Sequence, residues 1–284
     1  MTIQSKRRLF CGSQLSYGET WQSVAWEYFA KTGVCNVDVH ICQYAKFALT
    51  PELMIDEPWH GMWQISIPDL KALWARLGVT PLVALANCDM FYREGVDLIK
   101  RRMEFAKKAG IKYFVTGPWP HETWRGAEKV VYDHWKEICD YAETLALQLC
   151  VETHGWTMNN ARECLETIKN VNRKNFKVAF ATSDTYYRNK GLNQEEELKA
   201  LREHIGAVFL RDFIGEYYKW NFPALGDGIV DFPKIFGMLD EVEFTGPYLL
   251  VLEGHPAVFN ATVERCHQDV LKSIDYLKKI GVWS

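Results

Sequence analysis

The sequence predicts an α/β fold, a single (β/α)8 barrel spanning residues 1–284. Three observations predict it. Short apolar runs alternate along the whole chain with segments of helical spacing, as in folds built from parallel strands and crossover helices. There are eight such pairs, the number that closes a barrel. Two of the runs also end alike: Leu147–Trp156 reads LQLCVETHGW and Tyr248–Pro256 reads YLLVLEGHP, each with a Glu and, two residues later, a His. Buried parallel strands are continuous apolar runs, so a carboxylate at the end of each marks an open strand end.

The elements follow in order. Leu9–Leu15 is the first strand. Glu19–Lys31 is its helix, with Trp21, Val24, Ala25, Tyr28 and Phe29 at helical spacing. Val34–Cys42 is the second strand, followed by a long connection through Pro51, Pro58, Trp59 and Trp63. A helix opens at Ser66–Asp69 and runs to Arg76, with Pro68 in its first turn, where a missing N–H costs nothing. Pro81–Asn87 is the third strand, and Val96–Ala109 a helix that Gly110 ends. Ile111–Thr116, Leu147–Glu152, Phe176–Ala181, Ala207–Arg211 and Tyr248–Glu253 are the remaining strands. Tyr132–Leu145, Asn160–Asn170, Gln194–His204, Phe232–Leu239 and Ala261–Lys279 are the helices after them. No linker or shift in composition divides the chain.

Composition excludes several functions. A net charge of −3, with 33 basic and 36 acidic residues interspersed, gives no basic patch for nucleic acid. No apolar run reaches the length of a membrane span, and Met1–Arg8 is polar with no apolar stretch after it of signal-peptide length. The eight cysteines (Cys11, Cys35, Cys42, Cys88, Cys139, Cys150, Cys164 and Cys266) form no CxxC or CxxH. Several lie inside apolar runs, and the expectation is reduced thiols in a cytoplasmic protein. Gly226-Asp227-Gly228 is too short a glycine signal to cradle a phosphate, so no nucleotide cofactor is expected.

In a barrel of this kind the chemistry lies on the loops after the strands' C-terminal ends. Those loops carry Trp119, His121, Glu152, His154, Trp156, Asp184, Tyr187, Arg211, Glu253 and His255. Two carboxyl groups across a substrate suit removal and return of a carbon-bound proton, if their pKa values are held apart. A fixed cation such as Arg211, or His154, would steady the resulting enediolate. The aromatic loops suit the C–H faces of a neutral carbohydrate, yet part of that set can equally pack the loops together or join copies of the chain in a homo-oligomer. His255, ahead of Pro256, reads as well as a structurally hydrogen-bonded imidazole.

Over nearly its whole length the chain resembles the sugar isomerase/epimerase family with a xylose-isomerase-like TIM barrel, the group of ketose 3-epimerases, hydroxypyruvate isomerases and inosose dehydratases. The carriers are VETHG at 151–155, RRMEFAKKAGIKYFVTG at 101–117 and LGDGIVDFPKIFGMLDEVEFTGPYLLVLEGH at 225–255. The resemblance implies a divalent metal (Mn or Mg), a small carbohydrate substrate, and Glu152 and Glu253 as both metal ligands and acid/base pair. It implies two further ligands, an Asp on strand six and a His on strand seven. Here the chain departs from the pattern: Ala181 and Phe209 stand at those positions, with Asp184 where a substrate-contacting His is usual. The metal set this leaves is Glu152, Asp184 and Glu253. Arg211 shares the face of Phe209 by strand alternation and could balance the carboxylates in the metal's place. Three functions follow as expectations: an isomerase or epimerase of a neutral keto-sugar or glycoside, a lyase or dehydratase acting on a related keto-sugar or keto-polyol, and a non-catalytic sugar-binding barrel.

Overall fold

The computed structural model describes residues 8–18, 20–41, 53–56, 63–117, 126–253 and 261–283. Within them eight parallel strands close a barrel: β1 Leu9–Gly12, β2 Asn36–His40, β3 Thr80–Leu85, β4 Tyr113–Thr116, β5 Gln148–Glu152, β6 Phe176–Ala181, β7 Ile205–Leu210 and β8 Pro247–Leu250. Each pairs with its neighbours in sequence, and β8 closes on β1 with Leu9 beside Pro247 and Gly12 beside Leu250. The helices packed around the barrel are α1 Gln22–Thr32, α2 Ile67–Leu77, α3 Arg93–Ala109, α4 Glu128–Thr144, α5 Ala161–Val171, α6 Gln194–Leu201, α7 Phe232–Glu241 and α8 Val263–Lys279. None of the described helices is long and apolar enough to cross a membrane.

Side chains alternate between two cores, as the period of two requires. Even-numbered residues of β7 and β8, such as Val208 and Leu250, join the core between strands and helices. Odd-numbered ones, Ala207, Phe209 and Leu249, fill the barrel interior with Val251 just past β8 and with Cys11, Val83, Leu85, Val115, Cys150, Ala179 and Ala181. Continuing that parity past the strand ends puts Arg211 and Glu253 over the interior, where β5 already places Glu152.

Helix ends follow local chemistry. Ser66, Asn160, Asp231 and Thr262 each accept a backbone N–H of the first turn, and Gly33, Gly78 and Gly110 take the left-handed conformation that stops a helix. The strand expected over Leu9–Leu15 ends instead at Gly12, and Gln14–Tyr17 winds into a 3-10 turn that Ser13 caps. Gly12 lets α1 approach: a Cβ there would lie 2.4 Å from the Phe29 ring. The connection before α2 holds a two-stranded antiparallel ribbon, Leu53–Asp56 with Trp63–Ser66. Helices α3 and α4 each begin a few residues earlier than the apolar spacing indicates, at Arg93 and Glu128. The described cysteines, Cys11, Cys35, Cys88, Cys139, Cys150, Cys164 and Cys266, are all free thiols.

Candidate active site

Four consecutive strands, β5 to β8, build one constellation at the barrel mouth. Its centre is Arg211, with only 3% of its side chain exposed. Its Nε donates to Ser183 Oγ at 2.7 Å, its Nη2 to Asp184 Oδ1 at 2.5 Å, and its Nη1 to Glu253 Oε2. The guanidinium also lies 4.6 Å from the centroid of the Phe222 ring, a cation–π contact. Burial works against its charge, but Glu253, Asp184 and Glu152 outweigh that and hold its pKa above the ordinary range. The backbone is fixed just as firmly. Thr182 Oγ1 donates to the Arg211 carbonyl (2.7 Å), with the Phe209 carbonyl also within reach at 3.1 Å, and accepts from the Arg211 N–H (3.0 Å).

Asp184 opens a single helical turn, Asp184–Tyr187, after β6. That turn brings up Arg188, whose Nε donates to Asp184 Oδ2 at 3.3 Å and whose Nη2 stands 3.0 Å and 3.1 Å from the two ring nitrogens of His154. His154 Nδ1 is 3.9 Å from Glu152 Oε1, an electrostatic contact rather than a hydrogen bond. The network thus contains Glu152, His154, Asp184, Arg211 and Glu253, all singled out by the sequence, together with Arg188 and Ser183, which were not.

The two glutamates are tuned apart. Burial raises the pKa of Glu152, but the His154 ring and the Arg211 and Arg188 guanidiniums overcome it, leaving the carboxyl below its ordinary value. Glu253 is raised. Burial is the main cause, Arg211 opposes it, and the Glu152 and Asp184 carboxylates add to it.

Beneath the constellation the floor is apolar. Ala181 pairs in register with Phe209, and Phe209 with Leu249, all three within the barrel interior. The strand-six and strand-seven positions where the resemblance implies ligands therefore offer a methyl and a phenyl group. A different set of donors converges: among the described residues, ligand atoms of Glu152, His154 and Asp184 lie within 4.8 Å of one another. Two carboxylates and an imidazole are donor types that suit a divalent transition metal. Arg188 now holds the Asp184 and His154 members, so an ion would bind there with Arg188 turned away. Glu253, expected as a third carboxylate ligand, is engaged by Arg211.

The other expected residues divide. Trp156 is buried in the core between strands and helices. Tyr187 packs edge-on against Trp220 and Phe222, one ring of an aromatic cluster that lines the β7 loop. Trp220 Nε1 in turn donates to the Glu253 carbonyl at 3.2 Å. Trp119, His121 and His255 lie outside the described residues. Asp212, beside Arg211, is turned to structure: its carboxylate accepts the N–H groups of Phe213, Gly226, Gly228 and Val230 at 2.8–3.1 Å. This explains the Gly226-Asp227-Gly228 stretch, since a Cβ on Gly228 would lie 2.2 Å from Asp212 Oδ1.

A family model described as "Xylose isomerase-like TIM barrel" matches residues 56–280. The inosose dehydratase of Yersinia enterocolitica is 26% identical over 148 residues, 46% of this chain and 49% of that protein; the chain thus spans about half the length of that relative. An L-ribulose-5-phosphate 3-epimerase of Shigella flexneri is 24% identical over 202 residues, 70% of this chain and 67% of that protein. Among solved structures, the IOLI protein with a bound zinc atom superposes with a TM-score of 0.74 at 20% identity, covering 96% of this chain and 99% of that one. A D-allulose 3-epimerase from Methylomonas sp. gives 0.71 at 18% identity, covering 97% and 98%. At such identities the superpositions establish the fold.

Proposed function

Because the chain belongs to the xylose isomerase-like TIM barrel family, we propose that it is an enzyme that moves a carbon-bound proton next to the carbonyl of a neutral sugar or keto-polyol, an isomerase or epimerase. The observation that carries this is the opposed tuning of Glu152 and Glu253. Two like groups whose environments push their pKa values apart divide into base and acid. Glu152, held ionised, takes the proton from carbon. Glu253, whose pKa is raised by burial and its carboxylate neighbours, is the one of the two placed to return a proton to the carbonyl oxygen. Arg211, cationic and fixed by five polar contacts with side chains and backbone, provides positive charge where the enediolate develops without having to reorganise. Glu152, His154 and Asp184 would hold a divalent metal, which would polarise the substrate carbonyl when bound.

The same abstraction begins a dehydration, a second reading favoured by the similarity to an inosose dehydratase. One experiment addresses both. Purified protein is incubated in D2O with D-allulose, D-tagatose, D-fructose and an inosose, and followed by NMR. Deuterium entering a recovered sugar at carbon next to the carbonyl, together with a new isomer, supports the first reading; loss of water supports the second. No exchange with any of them, alongside measurable binding, would leave a sugar-binding barrel without turnover.

A further inference from the structure

Two guanidiniums stand over the apolar floor at Ala181 and Phe209, and they are held differently. Arg211 is fully engaged: each of its three side-chain nitrogens donates to a side chain, and only 3% of it is exposed. Arg188 is not. Its Nε donates to Asp184 Oδ2 and its Nη2 approaches His154, while among the described residues Nη1 has no hydrogen-bond partner. Only 11% of the side chain is exposed, and a donor so nearly withdrawn from water is costly to leave unmatched.

Neutralising Asp184 does not account for Arg188. Asp184 Oδ1 already accepts Arg211 Nη2 at 2.5 Å, and one guanidinium balances one carboxylate. The second is nonetheless fixed in place. It follows directly on the Asp184–Tyr187 turn, which Asn189 Nδ2 ties down by donating to the carbonyls of Asp184 at 3.2 Å and Asn159 at 3.0 Å. The Tyr187 ring centroid lies 5.3 Å from Arg188 Cζ, a cation–π contact. His154 Nδ1 is 3.0 Å from Arg188 Nη2 and 3.9 Å from Glu152 Oε1, so the guanidinium stands one imidazole away from the proposed base. Its charge is among those that lower the Glu152 pKa.

We propose that Arg188 is a catalytic residue: seated among Glu152, His154 and Asp184, the donors that could hold a metal, its guanidinium donates from Nη1 to the substrate's carbonyl oxygen and carries the charge that develops there. The inference rests on the proton-transfer reading above and deepens it. Glu152 takes the proton from carbon, the electron pair of that C–H bond becomes the C=C bond, and the C=O π pair moves onto oxygen. There the oxyanion accepts the Arg188 N–H, which stays on nitrogen because a guanidinium does not deprotonate in a protein. Glu253 then protonates the same oxygen through its other lone pair, giving the enediol, and the reverse steps return a proton to carbon. A planar fork also suits two oxygens side by side. The substrate class is therefore an α-hydroxy ketone, its second oxygen on the carbon that loses the proton. Arg211, with each nitrogen engaged, acts on the same charge as a fixed cation without touching it. On this assignment the guanidinium and a metal ion are alternative occupants of one place.

The test uses the full-length protein stripped with chelator. Its probes are D-allulose, ribonohydroxamate as a planar mimic of an enediolate, and allitol, which has no carbonyl. Wild type should exchange deuterium from D2O into D-allulose without added metal, and Arg188→Ala should do so about 100-fold more slowly. Calorimetric titration gives a readout that needs no turnover. Arg188→Ala should bind ribonohydroxamate about tenfold or more weakly than wild type, with its affinity for allitol within about twofold. Arg188→Lys, which keeps a charge and loses the fork, should show the same contrast, reduced. An unchanged exchange rate in Arg188→Ala overturns the assignment. So does a hydroxamate affinity that falls no further than that of allitol in both variants, or exchange by wild type only once Mn is supplied. If wild type exchanges no carbon-bound proton with any of the sugars named above, with or without metal, the proton-transfer reading fails. The hydroxamate contrast then decides this one separately: its presence upholds the oxygen contact and its absence removes it.

Discussion

Glu152 and Glu253 are the same side chain at the ends of two strands of one barrel, yet their surroundings drive them in opposite directions. Glu152 has His154, Arg211 and Arg188 around it and is held below the usual carboxyl range, while Glu253, more dominated by burial and by its carboxylate neighbours, is held above. If this difference divides base from acid, Glu152→Gln and Glu253→Gln should each slow carbon-proton exchange about 100- to 10,000-fold. D2O exchange followed by NMR checks it. Equal rates in wild type and either variant would remove that residue from the reaction.

The same shifts set a pH dependence. Activity as kcat/KM should be bell-shaped, with an acid limb below the ordinary glutamate value, where Glu152 gains its proton, and a basic limb above it, where Glu253 loses its own. Stability follows with opposite signs. The Glu152 contribution is present above its unfolded pKa and is lost as pH falls through the depressed folded one. The Glu253 contribution is present below its unfolded pKa and is lost as pH rises through the raised folded one. Urea midpoints of the two Gln variants against pH should show one loss on each side.

Arg211 is the hub of the buried charges at the barrel mouth. Arg211→Met takes a counter-charge from the buried Asp184 carboxylate and a donor from Glu253, and removing one member of such a group costs about 3–5 kcal/mol. Arg211→Lys keeps the charge but cannot reach Ser183, Asp184 and Glu253 together. It should recover part of the stability and little of the activity. Denaturation in urea, beside the exchange assay, separates the two effects.

Arg188 occupies His154 and Asp184, two of the three side chains that a metal would need at this site. Arg188→Ala should therefore bind Mn or Zn about tenfold more tightly than wild type, a change of about 1.4 kcal/mol, and Glu152→Gln should abolish the gain. Calorimetric titration of protein stripped with chelator reads this directly. An affinity unmoved by Arg188→Ala would mean that the ion, if any, sits elsewhere.

Asp212 holds the β7 loop by four backbone amides. Asp212→Ala strands those N–H groups and should cost about 1–3 kcal/mol per buried donor that finds no water. A rise in quantum yield or a wavelength shift of Trp220 fluorescence would report the loosened loop.

Much of this was legible in the sequence because it is periodic. Apolar runs of strand length followed by helical spacing located all eight strands, and alternation put Glu152, Arg211 and Glu253 on one face. What escaped lies where periodicity stops. Gln14 and Leu15 read as the end of the first strand, but Ser13 caps a 3-10 turn that takes them in. Arg188 belongs to no strand, and only the single turn after Asp184 places it at His154. Trp156 gave the reverse case, a loop aromatic that folds into the core.

The hydroxyl of Thr182 joins the Arg211 carbonyl and N–H where β6 and β7 end. A closed barrel has no edge along which a strand can slide, and a slip of one residue would turn every inward side chain outward. Chemistry in such a scaffold changes by exchanging the occupant of a fixed address, not by moving the chain. With Phe209 and Ala181 at two of those addresses and Arg211 one step above, this barrel sets a guanidinium and carboxylates over an apolar floor, and a change of one residue at any of them would change the chemistry of the mouth while leaving its geometry in place.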